Sequence, residues 1–169
     1  MYTKLTFLPL LPFAFVLLAL PSCADRKGAV QANDRFGGTA AGDSLFFSME
    51  RTPCFGRCPA YRIQVYRSGH AVYEGMSNVE KEGMHQARIG MDTLRALLQE
   101  AERIGYFDLA DKYDGPVTDL PSTHFRMVSG ERDKAIVARY KVPAELKAFG
   151  VFVDERLLPV AWKPVPVAQ

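Results

Sequence analysis

Residues 61–74 read YRIQVYRSGHAVYE. Tyr61, Ile63 and Val65 fall on one face and Arg62, Gln64 and Tyr66 on the other, the period of a strand that lays one side on a core. Arg67-Ser68-Gly69-His70 then makes a tight turn, with Gly69 supplying the positive φ that such turns need. Ala71-Val72-Tyr73-Glu74 returns as the partner strand. Upstream, Leu45 to Met49 reads as a further strand, and Met84 to Ile89 as a weaker one downstream. A helix follows: Asp92 is placed to cap it, Leu94, Leu97, Leu98, Ala101 and Ile104 form the i, i+3, i+4 stripe, and Gly105 ends it. Arg95, Gln99, Glu102 and Arg103 make its polar face, so the helix covers one side of a sheet.

After the loop from Asp108 to Pro121 the theme recurs. Ser122 to Val128 and Lys134 to Tyr140 flank a turn through Gly130, and Pro143, favourable at a helix start, opens a segment carrying Leu146, Phe149, Val153 and Leu157. Two rounds of hairpin then helix predict an α+β single domain over residues 44–158: an antiparallel sheet with two helices packed on one face. The rounds share topology and no sequence identity. Residues 159–169, with Pro164 and Pro166, read as an extended, loosely held tail.

The first 22 residues have the form of an export signal: Lys4, an apolar run from Leu5 to Leu20, and a small residue before the cut. Leu20-Pro21-Ser22-Cys23 resembles the bacterial lipobox, Pro21 being its one departure, and makes Cys23 the expected lipidation site. The run is shorter than the roughly 20 apolar residues of a membrane span and holds Pro9 and Pro12. Cuts after Ala24 or Ala32, giving a secreted or soluble periplasmic protein, are the alternatives. With acyl chains on Cys23 the protein is held on the membrane, since stable anchoring takes more than one chain. The residue after Cys23 is Ala24 and not aspartate, which by similarity to Gram-negative lipoproteins points to the outer membrane, facing the periplasm. Residues 23–43 hold four glycines and only Val30 and Phe36 as large apolar residues, and read as a flexible tether reaching roughly 25 Å.

Loss of Lys4 leaves 20 of the 21 basic residues against 19 acidic ones, a charge near +1. Nucleic acid is not the expected partner, because such binders carry strong clustered positive charge. The chain beyond the leader suffices for one core.

Beyond Cys23 two cysteines remain, in Thr52-Pro53-Cys54-Phe55-Gly56-Arg57-Cys58-Pro59. In an exported protein, two nearby thiols are usually oxidised to a disulfide. So short a loop restrains less entropy than the ~3 kcal/mol of a 15-residue one, so the bond shapes a turn more than it holds the fold. Two other chemistries compete. A redox pair prefers Cys-x-x-Cys beside a βαβ pattern, whereas this spacing is Cys-x-x-x-Cys between strands. Zinc takes about four ligands, and His70, His85 and His124 have no paired spacing.

PCFGRCPAYRIQVYRSGHAVYEG, the later IGYFDLADKY, PVTDLP and YKVPAELK together resemble the bacterial family of domains of unknown function numbered 6438, from about Leu45 to Leu157. In that family Cys-Phe-Gly-x-Cys-Pro, Tyr-x-Gly and Thr-Asp-x-Pro segments recur, here as Cys54 to Pro59, Tyr73-Glu74-Gly75 and Thr118 to Pro121. The resemblance implies no established activity; members tend to carry lipoprotein-type leaders.

Asp108, Asp111, Asp114 and Asp119 share one loop with Gly115, but their spacing departs from the Asp-x-Asp-x-Asp-Gly calcium pattern. They read as turn and helix caps on a solvated connector, with no metal or cofactor expected. Asp119, between Thr118 and Pro121, is placed to hold its turn against the Cys54 loop. Phe55, Gly56, Arg57 and Asp119 form a candidate recognition loop, which Tyr61, Tyr66 and Tyr73 would extend unless they are sheet packing. No Gly-x-Ser-x-Gly elbow or Gly-rich phosphate loop is present. The expected role is a non-catalytic envelope domain that binds an envelope protein or a cell-wall ligand. The alternatives are a thiol-disulfide redox protein using Cys54 and Cys58, or a periplasmic enzyme inhibitor.

Overall fold

The computed structural model describes residues 42–166; the leader, Cys23 and most of the expected tether lie outside them. The strands are β1 (Leu45–Arg51), β2 (Ala60–Tyr66), β3 (His70–Ser77) and β4 (Gly83–Arg88), then β5 (Lys112–Tyr113), β6 (Thr123–Ser129), β7 (Arg132–Ala138) and β8 (Lys163–Pro164). Two helices, α1 (Met91–Arg103) and α2 (Ala144–Leu157), complete the α+β domain. The sheet runs β5-β7-β6-β1-β2-β3-β4-β8 and is antiparallel throughout except where β5 lies parallel to β7. The connection through α1 leaves β4 near one edge and delivers the chain to β5 at the other. That through α2 leaves β7 and returns to β8. Two rounds of sheet then helix are therefore present, the first being a four-strand meander.

Alternation places the core as the sequence suggests. Phe47 and Met49 of β1, Tyr61, Ile63 and Val65 of β2, Phe125 and Met127 of β6 and Ile136 of β7 are buried. They form one apolar cluster with Leu94, Leu97 and Ala101 of α1 and Leu146, Phe149, Val153 and Leu157 of α2. Phe149 is the centre of that contact, its ring 6.0 Å from Phe47 and 5.9 Å from Phe125. The opposite sheet face is polar in its middle, where Arg62 bridges Glu50 and Glu74. Gly69 does carry the positive φ of the β2–β3 turn, 82°.

Four local readings are corrected. Asp92 does not cap α1: Gly90 occupies the N-cap without a side-chain bond, and Asp92 sits in the first turn paired with Arg95. The Asp108–Pro121 loop contains β5, too short to show a period. The strand expected to run to Tyr140 ends at Ala138: the ladder to β5 finishes with Arg139 N–H on Tyr113 O, and Tyr140 N–H bonds that same oxygen out of step with it. The tail is extended but not loosely held through residue 165. Trp162 is buried, its indole N–H donates to Leu157 O at 2.9 Å, and Val165 N–H donates to Met84 O. A large aromatic surface beside an open sheet edge outweighs the freedom that Pro164 and Pro166 suggest.

Candidate functional site

The C-terminal end of β1, the start of β2, the end of β3 and the start of β6 lie at one pole of the sheet. There Arg51 follows Phe47 and Met49 on the core-facing side, and Tyr61 lies opposite it across the strand pair. Helix α2 brings Asp154 over both. Arg51 Nη2 donates to Asp154 Oδ2 at 2.5 Å and Nε to the Tyr61 hydroxyl at 2.9 Å, and that hydroxyl donates to Asp154 Oδ1. Arg51 Nη1 also reaches Thr123 Oγ1 at 3.3 Å. Gly150 faces the same group closely: a β-carbon there would stand 3.3 Å from Phe125 and 3.4 Å from Arg51 Nη2.

Burial shifts these groups. It draws the Arg51 guanidinium down, and Asp154 and Tyr61 more than offset that, leaving it above its ordinary value. Burial, reinforced by the Asp154 carboxylate, raises the Tyr61 phenol. The three side chains form one hydrogen-bonded network that pairs a guanidinium with a carboxylate through a phenol.

The network floors a cavity of about 490 Å³. Its apolar wall includes Val79, Leu158, Trp162 and Pro59; Asn78, Glu80 and Lys81 of the β3–β4 turn and Pro121-Ser122 complete the rim. Tyr61 stacks on Tyr73 at 5.8 Å, and Tyr73 lies 5.5 Å from Trp162, so the aromatics brace the wall. Gly75 lets the turn fold inward, since a β-carbon there would fall 1.8 Å from Lys81 O.

Cys54 and Cys58 are joined as a disulfide, with Cα atoms 5.6 Å apart, and Cys58 lines the cavity. Asn78 Nδ2 donates to Cys58 O at 3.2 Å and fastens the loop to the rim. Phe55 at its tip is 94% exposed, and Gly56 and Arg57 are exposed beside it. Asp119 is also exposed, but its carboxylate makes no hydrogen bond among the described residues. The loops are joined instead by Thr52 N–H to Ser122 O at 2.9 Å and Ser122 N–H to Thr52 Oγ1 at 2.8 Å. Asp119 adopts φ 63°, a left-handed conformation that short polar side chains tolerate. Tyr61, Tyr66 and Tyr73 are buried in the sheet and form no exposed recognition face. Within the acidic loop, Asp111 pairs with Lys134, and Asp114 with Lys112 and Arg139. His85 is buried edge-on to Tyr73, while His124 is exposed on β6.

The profile described as "Domain of unknown function (DUF6438)" matches residues 45–157. The chain belongs to that family. No curated protein matches it. The matched span of this DUF6438 domain takes in Arg51, Tyr61, the disulfide loop and Asp154, and stops short of Trp162.

Sequence reasoning did not single out Arg51, Asp154 or Trp162. Two of them leave a signal. Arg51 shares the strand parity of Phe47 and Met49, and Asp154 lies four residues after Gly150 and three before Leu157, on the buried stripe of α2. A single charge on each core-facing pattern, of opposite sign, marks a pair.

Proposed function

We propose that the chain is an exported, lipid-anchored envelope protein whose folded domain is a non-catalytic binding module, working through the pole that carries the Cys54–Cys58 loop. The observation that carries this reading is Phe55, almost fully exposed on a loop closed by a disulfide and flanked by prolines. An aromatic beside an arginine is the composition of an interface hot spot. The covalent brace lowers the ordering cost of docking it. The leader and the Leu-Pro-Ser-Cys segment support export and anchoring at the outer membrane, and a disulfide suits an oxidising compartment. Gly42 to Ser44 enter at the other pole, where Ser44 O accepts from Arg67 N–H and Asp43 accepts from Ser68. Seven residues of β1, about 20 Å of strand, separate that entry from the loop.

Binding is favoured over catalysis because the Tyr61 hydroxyl gives its hydrogen bond to Asp154 and is held as the neutral phenol. The thiol-disulfide alternative draws on the same cysteines, both only half-buried. A photo-crosslinking residue at position 55 in the native envelope is expected to give one discrete adduct, lost in Arg57→Glu. Adducts no different from those at Val151, an exposed apolar site on α2, would remove the loop from consideration. A readily reduced disulfide that exchanges with a dithiol partner would favour the redox reading.

A further inference from the structure

The cavity behind the loop has a chemistry separate from the loop's. Arg51 has five N–H donors, of which Tyr61, Thr123 and Asp154 engage three. One remains on each Nη atom. Asp154 accepts one bond at each oxygen, and a carboxylate offers about four lone-pair sites. Both side chains line the cavity and keep 27% and 22% of their surface open. Donors and acceptors therefore stand side by side with no net charge. Lys81 and Glu80, 3.2 Å apart, repeat that balance at the rim.

Several ligand classes fit this floor poorly. An anion drawn by Arg51 and Lys81 is opposed by Asp154 and Glu80, and an ammonium meets the reverse, so an ion of single sign gains little from the balanced floor. A plain hydrocarbon would strip water from Arg51 and Asp154 and return no hydrogen bond. We propose that the cavity binds a neutral polyhydroxyl ligand, a saccharide unit, whose adjacent hydroxyls bridge Arg51 and Asp154 while its C–H surface lies against Val79, Leu158 and Trp162. Each hydroxyl both donates and accepts, so two neighbouring ones answer both floor groups from one side. The N–H and C=O of a trans peptide unit point in opposite directions, and one unit meets only one of the two groups. A volume of about 490 Å³ lies within the roughly 300–1,000 Å³ of small-molecule sites.

The only tryptophan of the chain is Trp162, and it lines the cavity, so its emission reports occupancy. The full chain is titrated with maltose, N,N′-diacetylchitobiose, glucuronate and acetyl-Gly-Leu-amide. A saturable change with a neutral saccharide is expected, at least about tenfold tighter than with glucuronate or the peptide amide. Asp154→Asn keeps the shape and leaves Arg51 unbalanced, so preference should move toward glucuronate. Absence of saturation with either neutral saccharide, or tighter binding of the peptide amide or glucuronate to the unmodified chain, would overturn the assignment. Should Asp154→Asn fail to fold by circular dichroism, the unmodified chain still decides it. The Phe55 crosslinking result is independent of this titration, so each reading fails separately.

Discussion

Arg51 occupies a position where the period of β1 asks for an apolar side chain, two residues beyond Met49 and four beyond Phe47. It is tolerated because Asp154, Tyr61 and Thr123 replace the water it loses. Removing one partner is costlier than never having built the network, since the remaining charge stays partly buried. Asp154→Ala leaves Arg51 without its counter-ion and Tyr61 without its acceptor. A fully buried pair broken in this way loses roughly 3–5 kcal/mol; with about a quarter of each side chain open, about 2 kcal/mol is expected. Urea unfolding should show it as a lower midpoint at unchanged slope. A variant as stable as the parent would mean that the network contributes nothing to the fold.

Among the elements, the Cys54–Cys58 loop and the β3–β4 turn act as two lips, tied by the Asn78 to Cys58 hydrogen bond. The disulfide encloses so few residues that chain entropy assigns it about 2 kcal/mol. Cys54→Ser with Cys58→Ser is therefore expected to leave the sheet and helices intact by circular dichroism. Amide exchange should rise locally, at residues 54–58 and at Asn78. Global unfolding on reduction would show instead that the loop holds the fold. Much of this element scale was legible beforehand: alternation over residues 61–74 and the Leu94, Leu97, Ala101 stripe set strand and helix before any tertiary contact was known. The two-residue β5 and β8 were not. Strands of that length carry no period, and they form only because β7 and β4 present unpaired backbone to them.

For the whole molecule, one core serves both helices and the sheet, and its buried tyrosines set a limit in alkali. Burial raises the phenols of Tyr61 and Tyr106 above the ordinary value of 10.0, with Asp154 and Asp133 respectively adding to it. The native state keeps these protons after the unfolded chain has lost them. Their contribution to stability is thus complete below pH 10 and falls as pH rises beyond it. The guanidinium midpoint should hold steady from neutrality to about pH 9 and drop steeply above about 10. Tyr106→Phe should flatten that drop, at the cost of its 3.3 Å hydrogen bond to Lys134 O, about 1 kcal/mol at neutral pH. A drop of equal steepness in Tyr106→Phe would assign the alkaline limit to other groups.

Local order could be read from residues alone: the hairpin, both helix stripes, the α+β class and the cysteine pair are each written in side chains near one another along the chain. The site could not. Arg51 and Asp154 are 103 residues apart, and Trp162 closes the wall from a segment whose prolines suggested a loose end. Asp119 shows the same limit from the other side. Its position in the sequence suggested a carboxylate holding two loops together, whereas the backbone uses it for a left-handed turn and leaves the joining to Thr52 and Ser122. Which side chains share a cavity depends on how the chain crosses the sheet through α1 and α2, and local periodicity carries no record of that crossing.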